Sequence, residues 1–195
     1  MMEYRLIAVG ASWGGLHAVS QLLSALDPNL RAAVVVALHR AAEATGLAEA
    51  LQEHTQLVVT EAEDKDDLVR GHVYVAPSDY HLLVESDGSL ALSTDERVQF
   101  ARPSIDVLFE SAADAYRERC VGVVLTGLNE DGAAGLARIK ELGGVAIVQD
   151  PRTAERGEMP TAAIAATTAD VILPLDEIGL FLHGLLLETK TRSIH

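Results

Sequence analysis

Short, nearly continuous apolar runs alternate along this chain with segments whose apolar positions recur at three- and four-residue spacing. The runs Leu6–Val9, Ala33–Leu38, Leu57–Thr60, Val121–Leu125, Val145–Val148 and Val171–Leu173 predict strands. Between them, Leu16–Leu26, Gly46–Glu53, Ile105–Tyr116, Gly132–Leu142, Thr161–Ala166 and Glu177–Leu187 predict helices. Strands that stay apolar at every position are covered on both faces, as parallel strands are. The βαβα alternation therefore predicts an α/β fold: a doubly wound, mostly parallel sheet with helices on both faces. The middle of the chain departs from this rhythm. Val73–Ala76, Leu82–Glu85 and Leu90–Leu92 are short strand-like runs, and the last two flank Ser86-Asp87-Gly88-Ser89. Asp-Gly there is a turn signal, so an antiparallel hairpin is expected at one edge of the sheet. No repeat or linker divides the chain. We expect one domain over residues 1–188 and a disordered polar tail over 189–195.

The composition of the 195 residues agrees with a single globular unit, 49% hydrophobic and 23% charged. Only 4% are aromatic, so the core is expected to be built from Val, Leu, Ile and Ala. With 15 basic against 29 acidic residues the formal net charge is −14. Such a surface repels nucleic acid and anionic membranes, so neither is expected as a partner. The single cysteine, Cys120, opens an apolar run and reads as a small core residue. Arg5 interrupts the N-terminal apolar run before it reaches signal-peptide length, and no stretch approaches membrane-spanning length. The expected location is the cytoplasm.

Chemistry concentrates where the strands end. Gly10-Ala11-Ser12-Trp13-Gly14 is a G-x-S-x-G turn between the first strand and the first helix. Glycines there let the backbone bend sharply and leave a serine hydroxyl exposed beside free N–H groups, as acyl-transfer enzymes present a nucleophile. In open α/β sheets ligands bind beyond the carboxyl ends of the strands, so partners for Ser12 are sought at other strand ends. His39 directly follows Ala33–Leu38, and Asp131 lies in the loop after Val121–Leu125. Ser12, His39 and Asp131 thus form a Ser/His/Asp set by architecture, sequence distance being irrelevant to a triad. His17, His54, His72, His81, His183 and His195 end no buried run and read as surface or packing residues. Asp131 has a second reading, as cap of the helix that follows it. Glu130 is its neighbouring competitor, with a longer and less rigid reach. Arg102 reads either as an ion pair holding its loop or as a contact to an acidic substrate.

Several segments in order resemble the catalytic domain of the chemotaxis methylesterases of the CheB family. They are Ile7-Ala8-Val9-Gly10-Ala11-Ser12 with Gly14-Gly15, His39, and Glu61-Ala62-Glu63-Asp64. Next come Gly71-His72-Val73-Tyr74-Val75-Ala76-Pro77 with Asp79 and His81, then Arg102-Pro103-Ser104-Ile105-Asp106-Val107-Leu108-Phe109. Leu125-Thr126-Gly127 with Asp131-Gly132-Ala133-Ala134-Gly135, and Met159-Pro160 with Ala163-Ile164, complete the set. The resemblance implies Ser12 as nucleophile, His39 as general base and Asp131 as the residue that orients His39. It implies hydrolysis of glutamyl γ-methyl esters on the cytoplasmic helices of methylated chemoreceptors, with methanol released. Deamidation of receptor glutamines is the same acyl chemistry with ammonia leaving. No metal and no organic cofactor are implied.

Departures from the family pattern cluster around the expected mouth of the site. Trp13 stands where a small or hydroxylated residue is usual, Arg40-Ala41-Ala42 follows His39, Leu128-Asn129 replaces Met-Gly, and Glu158 precedes Met-Pro. The Trp13 ring is expected either to narrow the ester site or to wall it. Family members typically carry an N-terminal receiver domain. The first strand here begins at about Tyr4, so a free-standing esterase is expected, with regulation left to a separate protein.

Other classes of function remain in view. A glycine-rich turn after the first strand also opens dinucleotide-binding folds, and Arg40 could meet a 2′-phosphate. The fingerprint G-x-G-x-x-G is not present, however, because Ser12 takes the second glycine's place. A generic α/β-hydrolase orders its triad Ser, acid, His, whereas His39 precedes Asp131. A catalytically idle signalling scaffold would keep the fold without turnover.

Overall fold

The computed structural model describes residues 5–191. Seven parallel strands form the central sheet: β1 (Leu6–Ala11), β2 (Ala33–Leu38), β3 (Val58–Glu61), β4 (His72–Val75), β7 (Cys120–Val124), β8 (Val145–Gln149) and β9 (Val171–Leu173). Their order across the sheet is β3-β4-β2-β1-β7-β8-β9. The chain winds from β1 towards β3 and then crosses back to β7, so the order reverses between β1 and β7. That reversal opens the crevice in which such folds bind ligands.

Period-two alternation divides each central strand between two cores. Ile7, Val9, Val34 and Val36 point to one face, where α1 (Gly15–Ser24), α2 (Leu47–Gln52) and α6 (Leu175–Thr191) cover them. Leu6, Ala8, Val35 and Ala37 point to the other, under α3 (Ile105–Tyr116), α4 (Ala133–Glu141) and α5 (Glu158–Ala166). The strand residues on this second face are smaller, so α3 approaches closely. A Cβ at Gly10 would lie 2.3 Å from the side chain of Ile105. Cys120 is a buried member of this core, and burial pushes its thiol well above the ordinary range.

The expected hairpin is present as β5 (His81–Val84) and β6 (Leu90–Ser93). It is a separate two-stranded sheet, joined to the rest by packing rather than by edge pairing: Leu82, Val84 and Leu90 enter the second core, and Val84 N–H donates to Ser111 Oγ of α3 at 3.1 Å. Helix α5 begins at Glu158 rather than Thr161, because Pro160 is tolerated in a first helical turn, where its missing N–H has no partner to lose. Helix α6 continues to Thr191, so the tail expected over 189–195 is helical in its first part; the remainder, 192–195, lies outside the described residues. Among the described residues no helix is long and apolar enough to cross a membrane.

Candidate active site

The β1–β2 ladder ends at the pair Ala11–Leu38, so Ser12 and His39 are the next residues out of two adjacent parallel strands. The His39 N–H still reaches Ala11 O at 3.1 Å, and the Ser12 N–H reaches Thr126 O at 2.9 Å. Those two bonds tie the ends of β1, β2 and β7 together. Immediately afterwards the chain turns through Gly14, whose φ of 74° favours glycine, into α1. Gly127 lies against Ser12 from the other side; a Cβ there would stand 2.9 Å from Ser12 Cβ and 2.5 Å from Met159 Cε.

The Ser12 hydroxyl donates to Nδ1 of His39 at 3.2 Å, and Nε2–H of His39 donates to Asp131 Oδ2 at 2.7 Å. With the proton fixed on Nε2 by a carboxylate, the Nδ1 lone pair faces the serine, the state a general base needs. The imidazole is 13% exposed and the Asp131 side chain fully buried.

Asp131 does not cap the helix that follows it. Helix α4 has Gly132 at its N-cap, a residue with no side chain to offer, and the Asp131 carboxylate turns instead to the N-terminus of α3. Ile105 N–H donates to Oδ2 at 2.7 Å, Asp106 N–H to Oδ1 at 2.9 Å, and the Ser104 hydroxyl to Oδ1 at 2.9 Å. Burial works against its ionisation. The His39 bond and the Asp106 and Ile105 N–H groups outweigh that and hold its carboxyl below the usual range. Its competitor Glu130 is exposed on the surface.

Several residues around the set owe their positions to partners distant in the sequence. Ser104 caps α3 and donates to Asp131 at once, while its N–H donates to Nδ1 of buried His81, whose Nε2–H donates to Glu96 O at 3.0 Å. Asn129 places its amide nitrogen 3.5 Å from His39 Nδ1. The Trp13 ring is drawn to the far side of its turn, with Nε1–H donating to Glu155 at 2.8 Å and the Arg156 guanidinium 5.9 Å from the ring centroid. The half-exposed ring is thus held against residues 155–156, while Ser12 Oγ bonds His39. Arg102 holds its loop, bonding Asp79 and the carbonyls of Thr94 and Asp95. Arg40 is committed to Glu61 and to the carbonyls of Ala44 and Ala76, which removes the cation the dinucleotide reading relied on.

One cleft opens at Ser12 and His39, and a second lies beside Asn129. The first, of about 570 Å³, runs from Ser12 and His39 past Leu16 and Leu38 to Leu47. The other, of about 520 Å³, is lined by Asn129, Leu128, Phe100 and Glu158.

The chain as a whole is similar to several known proteins. The family model described as CheB methylesterase matches residues 7–182. A Leptospira interrogans relative, named for protein-glutamate methylesterase/protein-glutamine glutaminase activity, is 46% identical over 179 residues; the match covers 91% of this chain and 93% of that one. Protein-glutamate methylesterase FrzG of Myxococcus xanthus is 41% identical over 90% of this chain, which spans 53% of FrzG. The crystal structure of the Thermotoga maritima CheB methylesterase catalytic domain superposes with a TM-score of 0.89 at 31% identity, covering 94% of this chain and all of that one. The chain belongs to the CheB methylesterase family.

Proposed function

We infer that this protein is a serine carboxylic ester hydrolase that demethylates glutamyl γ-methyl esters on chemoreceptors, releasing methanol in chemotaxis-type signalling. The observation that carries this reading is the unbroken hydrogen-bond chain Ser12–His39–Asp131 at the switch point of the sheet. Ser12 Oγ attacks the ester carbonyl as its proton passes to His39 Nδ1. The tetrahedral intermediate collapses, and the imidazolium returns that proton to the departing methoxide, so methanol leaves. A water then gives a proton to Nδ1 and its oxygen to the acyl carbon. Breakdown regenerates Ser12 and frees the glutamate. With a glutamine substrate the same steps release ammonia.

The oxyanion needs donors close to Ser12. The N–H groups of Ser12 and Gly15 are committed, to Thr126 O and Ser12 O, so the reading looks to the backbone N–H of Trp13, directly after the serine. One well-aimed donor is worth on the order of 3 kcal/mol. Thr126 supports the turn by donating its hydroxyl to Trp13 O at 2.9 Å. Asp131 keeps the imidazole oriented and stabilises the imidazolium, without itself taking the proton.

The expected substrate partner is the methylated cytoplasmic part of a chemoreceptor, and no nucleic acid or membrane insertion is involved. A net charge of −14 gives no electrostatic attraction to an acidic helical bundle, so encounter should quicken with added salt. Methanol release from methylated receptor membranes tests the reading, with the Ser12→Ala variant as comparison. Release that is lost in the variant supports it. No Ser12-dependent release from receptor, or from a small activated ester, overturns it in favour of an idle scaffold.

A further inference from the structure

Asp106 is buried and carries no role in the chemistry above, yet it is wired into the same network. Its Oδ1 accepts Gly132 N–H at 2.9 Å and Gly135 N–H at 2.7 Å, both at the start of α4. Its own N–H donates to Asp131 Oδ1. The two aspartates therefore exchange helices: Asp131, just before α4, caps α3, and Asp106, in α3, caps α4. Neither helix start can shift without moving the other's carboxylate. Gly132, with φ at 97°, joins Asp131 to the amides that Asp106 holds.

We propose that Asp106 is a positioning residue of this hydrolase, acting through Asp131: its ionised carboxylate locks the turn that aims Asp131 at His39 and places a second negative charge behind the first. This rests on the Ser12 hydrolase reading above. A proton gained by His39 during attack is held by Asp131 alone, and the charge of Asp106 behind it adds to the field that favours the charged intermediate over the resting base. The ionisable groups that face Asp106 are Asp131 from the loop before α4 and Glu110 from its own helix. His39 lies beyond Asp131, and His81 of β5 beyond Ser104. Gln99 donates its amide to Asp106 Oδ2 at 3.1 Å, a bond that favours the charged form. Burial, with the charge of Asp131, pushes the Asp106 carboxyl up to about 6, where loss of its charge falls within a measurable pH profile.

The test is turnover of p-nitrophenyl acetate across pH by the full chain, with Ser12→Ala as the blank. Asp106→Asn keeps an oxygen for the Gly132 and Gly135 N–H groups and removes the charge. It is expected to lower kcat about tenfold with KM within about twofold, and to move the acid limb of kcat/KM to lower pH. Its thermal midpoint at pH 8 should not fall below the wild-type value. Gln99 bonds to none of Ser12, His39 and Asp131. Gln99→Ala, which withdraws a donor from the charged form, should move the acid limb the other way, to higher pH. Unchanged kcat and limbs in both variants overturn the proposal. So does a slower Asp106→Asn with a lower midpoint and an unmoved limb, since that is a purely structural role. A wild type no faster than Ser12→Ala on this ester and on methylated receptor membranes overturns the hydrolase reading instead, and the two failures are distinct.

Discussion

Ser12 and His39 meet because they are the first residues beyond the register pair Ala11–Leu38, which places Ser12 Oγ 3.2 Å from His39 Nδ1 on adjacent parallel strands. The contact is set by the sheet, not by a flexible loop, so the pair should behave as one unit. Ser12→Ala and His39→Ala should each lower kcat for an activated ester by about the same factor, several orders of magnitude, and the double variant by little more. Single-turnover release of p-nitrophenol checks this. Additive losses would show that the two do not act together.

Asp131→Asn should leave a large but incomplete loss, about a thousandfold or more in kcat. An asparagine oxygen at Oδ1 can still accept from Ser104 and Asp106. Its NH₂ would then face His39 Nε2 at the present 2.7 Å, two donors against each other. The imidazole escapes by moving its proton to Nδ1, which removes the lone pair that Ser12 needs. Near-normal turnover by this variant would leave Asp131 with only its role as cap of α3.

The two aspartates should also give stability opposite dependences on pH. Asp131 has a folded value below its unfolded one, so its contribution is present above the unfolded value and is lost as the pH falls through the folded one. Asp106 is raised from 3.8 to about 6. Its ionisation therefore weakens the fold progressively as pH rises between those values, by up to about 3 kcal/mol, and adds nothing further above them. Urea unfolding of wild type and Asp106→Asn checks the sign: the variant's relative stability should rise from pH 4 to pH 6 and then level off. A difference independent of pH would show that Asp106 does not carry that buried charge.

How much of this was legible in the sequence follows from what each residue depends on. The strand runs and their ends could be read, because a parallel strand buried on both faces is apolar throughout, and Ser12 and His39 simply continue two such runs. The first of the two aspartates in the network, Asp131, could be nominated from its strand end but not assigned its cap, since its donors lie 25 and 26 residues earlier in the chain. Ser104 and Asp106 read as an ordinary helix start. Their second partners appear only when α3 packs beside α4. The hairpin was legible from Asp87-Gly88, whereas its attachment through α3 was not, because side-chain packing leaves no local pattern. Trp13 was legible as a departure, but its direction depends on Glu155, 142 residues away.

Trp13→Ala removes an exposed ring from a hydrogen bond to Glu155 and a contact with Arg156. Exposed interactions of this kind contribute on the order of 1 kcal/mol or less, so the fold should hold. The backbone of Trp13 remains fastened through Thr126, so Ser12 should keep its place. Turnover of a small activated ester is expected within about threefold of wild type. A much larger drop in kcat would mean that the ring, not the Thr126 tether, holds the Ser12 turn.

Gly127→Ala tests the packing around Ser12 directly. The added Cβ would meet Met159 Sδ at 2.8 Å and Ser12 Cβ at 2.9 Å, both closer than real contacts allow. The methionine end can swing away, because its thioether is unbranched and flexible. Ser12 Cβ cannot, since its backbone is bonded to Thr126 and Gly15. The serine must then move by some tenths of an ångström relative to His39, whose own backbone is fixed to Ala11. Misplacement on the scale of 1 Å can lower a rate by about a hundredfold, and a loss of ten- to a hundredfold in kcat is expected here, roughly. Pairing this variant with Met159→Ala separates the two contacts. Recovery of activity in the double variant would assign the strain to methionine, and continued loss would assign it to the position of Ser12.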